Sequence, residues 1–196
     1  RVSNNTTKDT LANIYKQGEL VINAVSHDIV RQMAVCSIEF DTEESEFEKS
    51  GLTPVPSLLV APPRVEESPA HLECIVTDII PLGELGGAGH LIICKVLLIH
   101  IRKEVMVENR IDPDKIDLMG RMGRAYYVRA SGGNLETIVQ SQTQGAIGFE
   151  NLPESIRHSH ILTGNDLGRL AGMPKIPSDQ TIKIFSESAI YEQFVQ

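Results

Sequence analysis

Residues Leu91–Ile101 are apolar at nearly every position, broken by Lys95. A strand of this kind is expected to be covered on both faces, since it offers no polar face to water. The run is too short to cross a bilayer, which needs about 20 apolar residues as a helix. A second strand pattern, His71 to Ile80, precedes it, and the Gly-rich stretch Gly83–Gly89 lies between the two as a flexible hairpin connection. Two long strands joined by a glycine-rich turn, with few helix patterns around them, point to a mainly β chain folded as a barrel.

Other elements follow from spacing. Leu11, Ile14 and Tyr15 stand at i, i+3, i+4 and predict a helix, with Thr6 or Thr7 as its cap and Gly18 as its stop. Glu19 to Val25 reads as a short strand, and Ser26 opens a second helix with Ile29, Val30, Met33 and Ala34 inward. The acidic segment 41–51 is a solvated loop with a helical turn at Ser45 to Lys49. Four prolines, Pro54, Pro56, Pro62 and Pro63, bracket the strand-like Ser57 to Val60 and mark its ends. Asp112 and Pro113 open a helical turn, and Tyr126 to Arg129 is a last strand. After Ala130 the chain turns rich in Gly, Gln, Ser and Thr, so 1–130 is expected to be a core and 131–196 a C-terminal extension packing onto it or onto a second subunit. Within the extension, Asn165 and Gly172 are expected to bound a short helix.

Composition narrows the function classes. Twenty-six acidic residues against 18 basic ones give a net charge of −8, which disfavours broad binding to nucleic acid. No secretory or membrane-spanning segment is visible, so no membrane partner is expected. Cys36, Cys74 and Cys94 are odd in number and form no CxxC, which suits buried thiols in a reducing, cytoplasmic setting.

Three features could carry chemistry. Asn5, Thr6, Thr7, Lys8 and Thr10 surround the start of the first helix, where unpaired amides, hydroxyls and an ammonium suit a phosphate; ordinary capping is the plainer use of the same residues. His90 closes the Gly-rich turn and could meet a substrate, or simply end a hairpin. His158 and His160 would share one face of a strand, but no third ligand stands at a useful spacing, so no metal site is assigned. The glycines at 83, 86, 87 and 89 form neither a dinucleotide fingerprint nor a P-loop, because a strand follows them and no Gly-Lys-Ser/Thr appears.

Several segments, in order, resemble the flavin reductase-like family of FMN-binding split barrels: Lys8-Asp-Thr-Leu-Ala-Asn-Ile14, Gly18-Glu-Leu-Val-Ile-Asn23, Pro62-Pro-Arg-Val-Glu-Glu-Ser-Pro69, Leu72-Glu-Cys74, Gly89-His-Leu-Ile-Ile-Cys-Lys-Val96 and Met119 to Arg129. The tail, with Ile161 to Leu167, resembles the extension of a longer subgroup. The resemblance implies a split antiparallel β-barrel, a homodimer with FMN near the subunit interface, and reduction of that flavin by NADH or NADPH. It assigns Lys8 and Thr10 to the flavin phosphate, with Asn5, Thr6 and Thr7 in the preceding loop, and sets His90 where shorter members carry a Gly-Asp-His that meets the nicotinamide; here Ala88 and Gly89 stand before it. Family members have further strands ahead of the Lys-Asp-Thr helix, so the flavin site in these 196 residues is expected to be incomplete. Three functions fit: an oxidoreductase passing electrons from NAD(P)H through flavin to an acceptor, a flavin electron carrier without nicotinamide turnover, and a non-catalytic split-barrel interaction protein.

Overall fold

The computed structural model describes residues 8–85, 87–138 and 145–188. Asn5, Thr6 and Thr7 lie outside the described residues. The chain divides into two compact units between Glu136 and Thr137.

The first unit opens with helix α1 (Asp9–Gln17), whose Leu11 and Ile14 are buried on the anticipated stripe. Lys8, not a threonine, takes the N-cap position, and no side chain caps the helix. Gly18 ends it with φ 69°, a left-handed conformation that glycine adopts without steric cost, and its N–H donates to Ile14 O at 2.8 Å. The turn feeds directly into strand β1 (Glu19–Asn23). Helices α2 (Val30–Val35) and α3 (Glu46–Ser50) follow, then the short strands β2 (Pro54–Val55) and β3 (Arg64–Val65), which pair with each other. Leu58 to Val60 forms bends, and Ser57 is irregular, where the sequence suggested a strand over Ser57 to Val60. Pro56, Pro62 and Pro63 lack the N–H that a sheet ladder needs.

The main sheet is antiparallel, in the order β1, β4 (Ala70–Pro81), β5 (His90–Ile101). Glu19 faces Ile75 and Asn23 faces His71 across one pair; Ala70 faces Ile101 and Pro81 faces His90 across the other. The ladder between β4 and β5 shifts register between Glu73 and Cys74 and again between Val76 and Asp78. Such bulges bend a strand and sharpen its twist. Coverage of β5 on both faces, expected from its sequence, is not found among the described residues: Leu91, Ile93, Val96 and Ile99 are exposed. β5 is also the edge of the sheet, and among the described residues no strand pairs with its outer side.

Beyond a 3₁₀ turn come the short pair β6 (Met106–Val107) and β7 (Arg110–Ile111), helix α4 (Pro113–Ile116), and the hairpin β8 (Leu118–Gly123) and β9 (Tyr126–Ala130). Asp112 caps α4, accepting the Asp114 and Lys115 amides at 3.0 Å, as Asp before Pro predicts. A core cluster of Ala70, Val105 and Ile116, with Ala24 and Leu118 against it, ties the start of β4 to α4 and β8.

The second unit holds helices α5 (Glu154–Arg157), α6 (Gly164–Ala171) and α7 (Asp179–Ser186). Thr163 rather than Asn165 caps α6, through a reciprocal box in which Thr163 and Asp166 satisfy each other's amides, and Gly172 ends the helix. His158 sits at the C-cap of α5 and His160 in a bend, so the two do not share a strand face. Among the described residues no helix is long and apolar enough to cross a membrane, and no group of three or more His, Cys, Asp or Glu could hold a metal.

Candidate functional site

At the helix start, the sequence-predicted Lys8 and Thr10 stand in the open. The Lys8 carbonyl receives the Leu11 and Ala12 amides at 3.0 and 3.1 Å and so starts the helical ladder. The amides of Asp9 and Thr10 belong to the first turn, which has no intrahelical acceptor. Lys8, Asp9 and Thr10 are all exposed, and among the described residues only the Thr42 hydroxyl, 3.5 Å from the Asp9 carboxylate, is hydrogen-bonded to their side chains. Lys8 makes no ion pair among the described residues.

Thr10 also lines a cleft of about 480 Å³. One wall is α1, through Thr10, Asn13 and Gln17; the floor is β1, through Glu19, Val21 and Asn23; the far wall is Ala61 to Pro63. The volume falls within the range of about 300–1,000 Å³ typical of small-molecule sites. Phe47 from α3 contributes an aromatic ring. The cleft exists because Gly18 reverses the chain sharply enough to set α1 beside β1, and because a proline-bounded segment crosses in front of both.

That segment is fastened by polar side chains of the sheet. Glu19 accepts the Ala61 N–H at 2.7 Å, and Asn23 Oδ1 accepts the Val65 N–H at 3.0 Å. Glu73, fully buried, accepts the Leu58 N–H at 2.9 Å and the Leu59 N–H at 2.7 Å. His100 Nε2 lies 2.6 Å from the same carboxylate, and Arg64 Nε stands 3.9 Å away. Burial pushes the Glu73 carboxyl upward, but the two amides and His100 outweigh it and bring its pKa to about 2. Next to it, His71 Nε2 donates to Val65 O at 2.6 Å, the assignment that a carbonyl partner requires. Its Nδ1 is buried without a partner among the described residues, and burial lowers the imidazole pKa.

The structure therefore brings Thr10 to the lining of this cleft, leaves Lys8 exposed at the helix start two residues before it, and does not bring His90 there. His90 begins β5 opposite Pro81, six residues along β4 from the level of Glu19, which at about 3.3 Å per residue is some 20 Å. It lines neither this cleft nor a second one of about 470 Å³, whose charged lining includes Asp28, Glu67, Arg102 and Lys115. Sequence reasoning missed Glu19, Asn23, Glu73 and His100. The one signal available was the polar alternation of His71 and Glu73 in a strand that follows a run of prolines.

Comparison with known proteins adds the following. Residues 1–116, more than half of the chain, match the family described as Flavin reductase like domain. An uncharacterised protein of Aquifex aeolicus (strain VF5) is 36% identical over 129 residues, 65% of this chain and 64% of the relative; the match thus spans just under two thirds of that protein's length. Among solved structures, nitrilotriacetate monooxygenase component B from Bacillus cereus superposes with a TM-score of 0.63 at 25% identity, covering 70% of this chain and 68% of that one. A protein assigned as a flavin reductase with split barrel domain from Shewanella frigidimarina NCIMB 400 superposes with a TM-score of 0.58 at 27% identity, covering 67% of this chain and 65% of the other. The mainly β sheets of the first unit are accordingly those of a split barrel.

Proposed function

The chain belongs to the flavin reductase-like family, and from that membership we propose that it is an FMN-dependent oxidoreductase that reduces the flavin with NADH or NADPH and passes the electrons to an acceptor. The observation that supports the reading is the exposed start of α1, with Lys8 at its N-cap and Thr10 lining a cleft of small-molecule size. The donor types at this helix start suit a phosphate monoester: two first-turn amides, a hydroxyl, an ammonium with no ion pair among the described residues, and the positive end of the helix dipole. Asn5, Thr6 and Thr7 extend that set in the proposal.

When bound, the flavin supplies the hydride and electron chemistry, so the chain needs no catalytic dyad or triad of its own. Lys8 and Thr10 hold the phosphate; β1 and Ala61 to Pro63 shape the space beside it. His90 is proposed as the nicotinamide contact on the family resemblance. The exposed apolar residues of β5 support a homodimer, which would cover them, and the three free cysteines suit the cytoplasm.

The test is a titration with FMN and with riboflavin, which differ by the phosphate. FMN should bind more tightly to the wild-type chain. Lys8→Ala should weaken FMN by about tenfold, equivalent to one charge-assisted contact, and leave riboflavin unchanged. Equal affinity for the two flavins, or an indifferent Lys8→Ala, removes the phosphate assignment. Turnover of NADH or NADPH with FMN present separates an enzyme from a carrier.

A further inference from the structure

On one face of the main sheet, the register sets Val21 beside Glu73 and Asn23 beside His71, with Leu98 and His100 on the next strand. Neighbouring strands at opposed positions point their side chains to the same face. Four polar side chains of that face, Glu19, Asn23, His71 and Glu73, each bond main-chain atoms of residues 58–65. The segment is a strap laid across the sheet and fastened by side chains where a strand would be fastened by a ladder.

Its own apolar side chains do not hold it all the way along. Val60 is buried, but Leu58 and Leu59 are 70% and 56% exposed. At those two residues, the hydrogen bonds to the sheet among the described residues go to the Glu73 carboxylate, one oxygen accepting Leu58 and the other accepting Leu59. His100 donates to the oxygen that also serves Leu58. Two residues further on, Ala61 becomes the wall of the cleft.

We propose that Glu73, backed by His100, is a positioning residue for the cleft: a buried carboxylate that pins Leu58 and Leu59 to the sheet and thereby fixes the Ala61–Pro63 wall, without itself reaching the cleft. Its consequence for flavin affinity rests on the function proposed above; the placement of the wall does not.

The experiment is amide hydrogen exchange on the full chain, without flavin, for wild type and Glu73→Gln. Glutamine keeps the volume but offers one acceptor oxygen for two amides. Exchange at Leu58 and Leu59 should rise by about tenfold to a hundredfold, the range expected when a charge-assisted bond to a buried acceptor is lost. Exchange at Ala61, which keeps its own bond to Glu19, should rise with it, while the β8–β9 amides stay protected. Unchanged exchange at Leu58 and Leu59 overturns the anchor; a rise confined to those two, with Ala61 unmoved, overturns the link to the cleft. If protection falls throughout the chain, His100→Phe is the second variant: it leaves Glu73 with both amides and should raise exchange at Leu58, Leu59 and Ala61 by a smaller factor, and no rise overturns the proposal. FMN titration of the same samples is the second readout. A weaker affinity in step with Ala61 exchange supports the wall as part of the flavin site. Wild-type protein that ignores FMN removes the flavin reading and leaves the exchange result to decide the anchor.

Discussion

Asp117→Asn is the perturbation that best separates the electrostatics of this fold from its backbone geometry. Asp117 follows α4 with φ 48° and ψ 52°, a left-handed conformation. Asparagine adopts that region as readily as aspartate, so the substitution adds no strain. What it removes is charge and one acceptor. Arg129 donates to both carboxylate oxygens at 2.8 and 2.6 Å, and Ser131 Oγ donates at 2.6 Å. These bonds tie the end of α4 to the end of β9, and the Asp117 carbonyl accepts the His27 amide at 2.9 Å. Charge-assisted bonds of this kind are worth about 1.5–3 kcal/mol when sheltered, and exposed ion pairs about 1 kcal/mol or less. Asp117 is largely sheltered and Arg129 half exposed, so a loss of about 1–2 kcal/mol is expected. The protein has no Trp, and three of its four tyrosines, Tyr15, Tyr126 and Tyr127, lie in the first unit, so tyrosine fluorescence during urea unfolding reports mainly on that unit. With an m-value of about 2 kcal/mol/M, the midpoint should fall by about 0.5–1 M at pH 7. Hydrogen bonds from Arg129 and Ser131 lower the Asp117 pKa from 3.8 to about 2. Its contribution is therefore complete above the unfolded value and is lost as pH falls through the folded one. The gap between wild type and variant should narrow between pH 4 and pH 2. An unchanged midpoint at pH 7, or a gap that widens with acid, refutes the reasoning.

Two further outcomes are expected. His90→Gln should raise the KM for NADH or NADPH about fivefold, the worth of one hydrogen bond, with FMN affinity unchanged; a KM that stays put removes His90 from the nicotinamide site. Thr163→Ala should destabilise α6 by about 1 kcal/mol through loss of its cap, read as faster exchange of the Asp166 amide, with the β8–β9 amides unaffected; equal exchange in wild type and variant would show that the box contributes nothing.

Local signals in the sequence were reliable where the physics is local. The i, i+3 pair Leu11 and Ile14, the stop at Gly18, the Asp112-Pro113 start of α4 and the glycine-rich link between β4 and β5 each depend on a few neighbouring residues, and each stands where the spacing put it. Helix starts were less legible. Thr6, Thr7 and Asn165 are good cap residues, but Lys8 and Thr163 occupy the cap positions, and helix ends are fixed by local chemistry only to within a residue or two. The environment of β5 was not legible at all. An apolar strand states that it prefers cover; it does not state whether the cover comes from its own chain, and in this sheet β5 is an edge.

The strap shows why the polar half of the site was hidden. By period-two reading, His71 and Glu73 belong to the wet face of β4, and Leu72 and Cys74 to the dry one. In the structure both Glu73 and Cys74 are fully buried, since the strap lies over the face that alternation assigns to water. A segment with three prolines among residues 56–63 cannot join the sheet by a ladder, and its remaining amides still require acceptors once covered. The polar residues of β1 and β4 are those acceptors. Glu19, Asn23 and Glu73 thus serve the strap in the way that a neighbouring strand's carbonyls would, and the prolines in one segment account for the buried acid in another. Replacing that acid by an apolar residue would take both acceptors from the Leu58 and Leu59 amides and so remove the bonds that fasten the strap there.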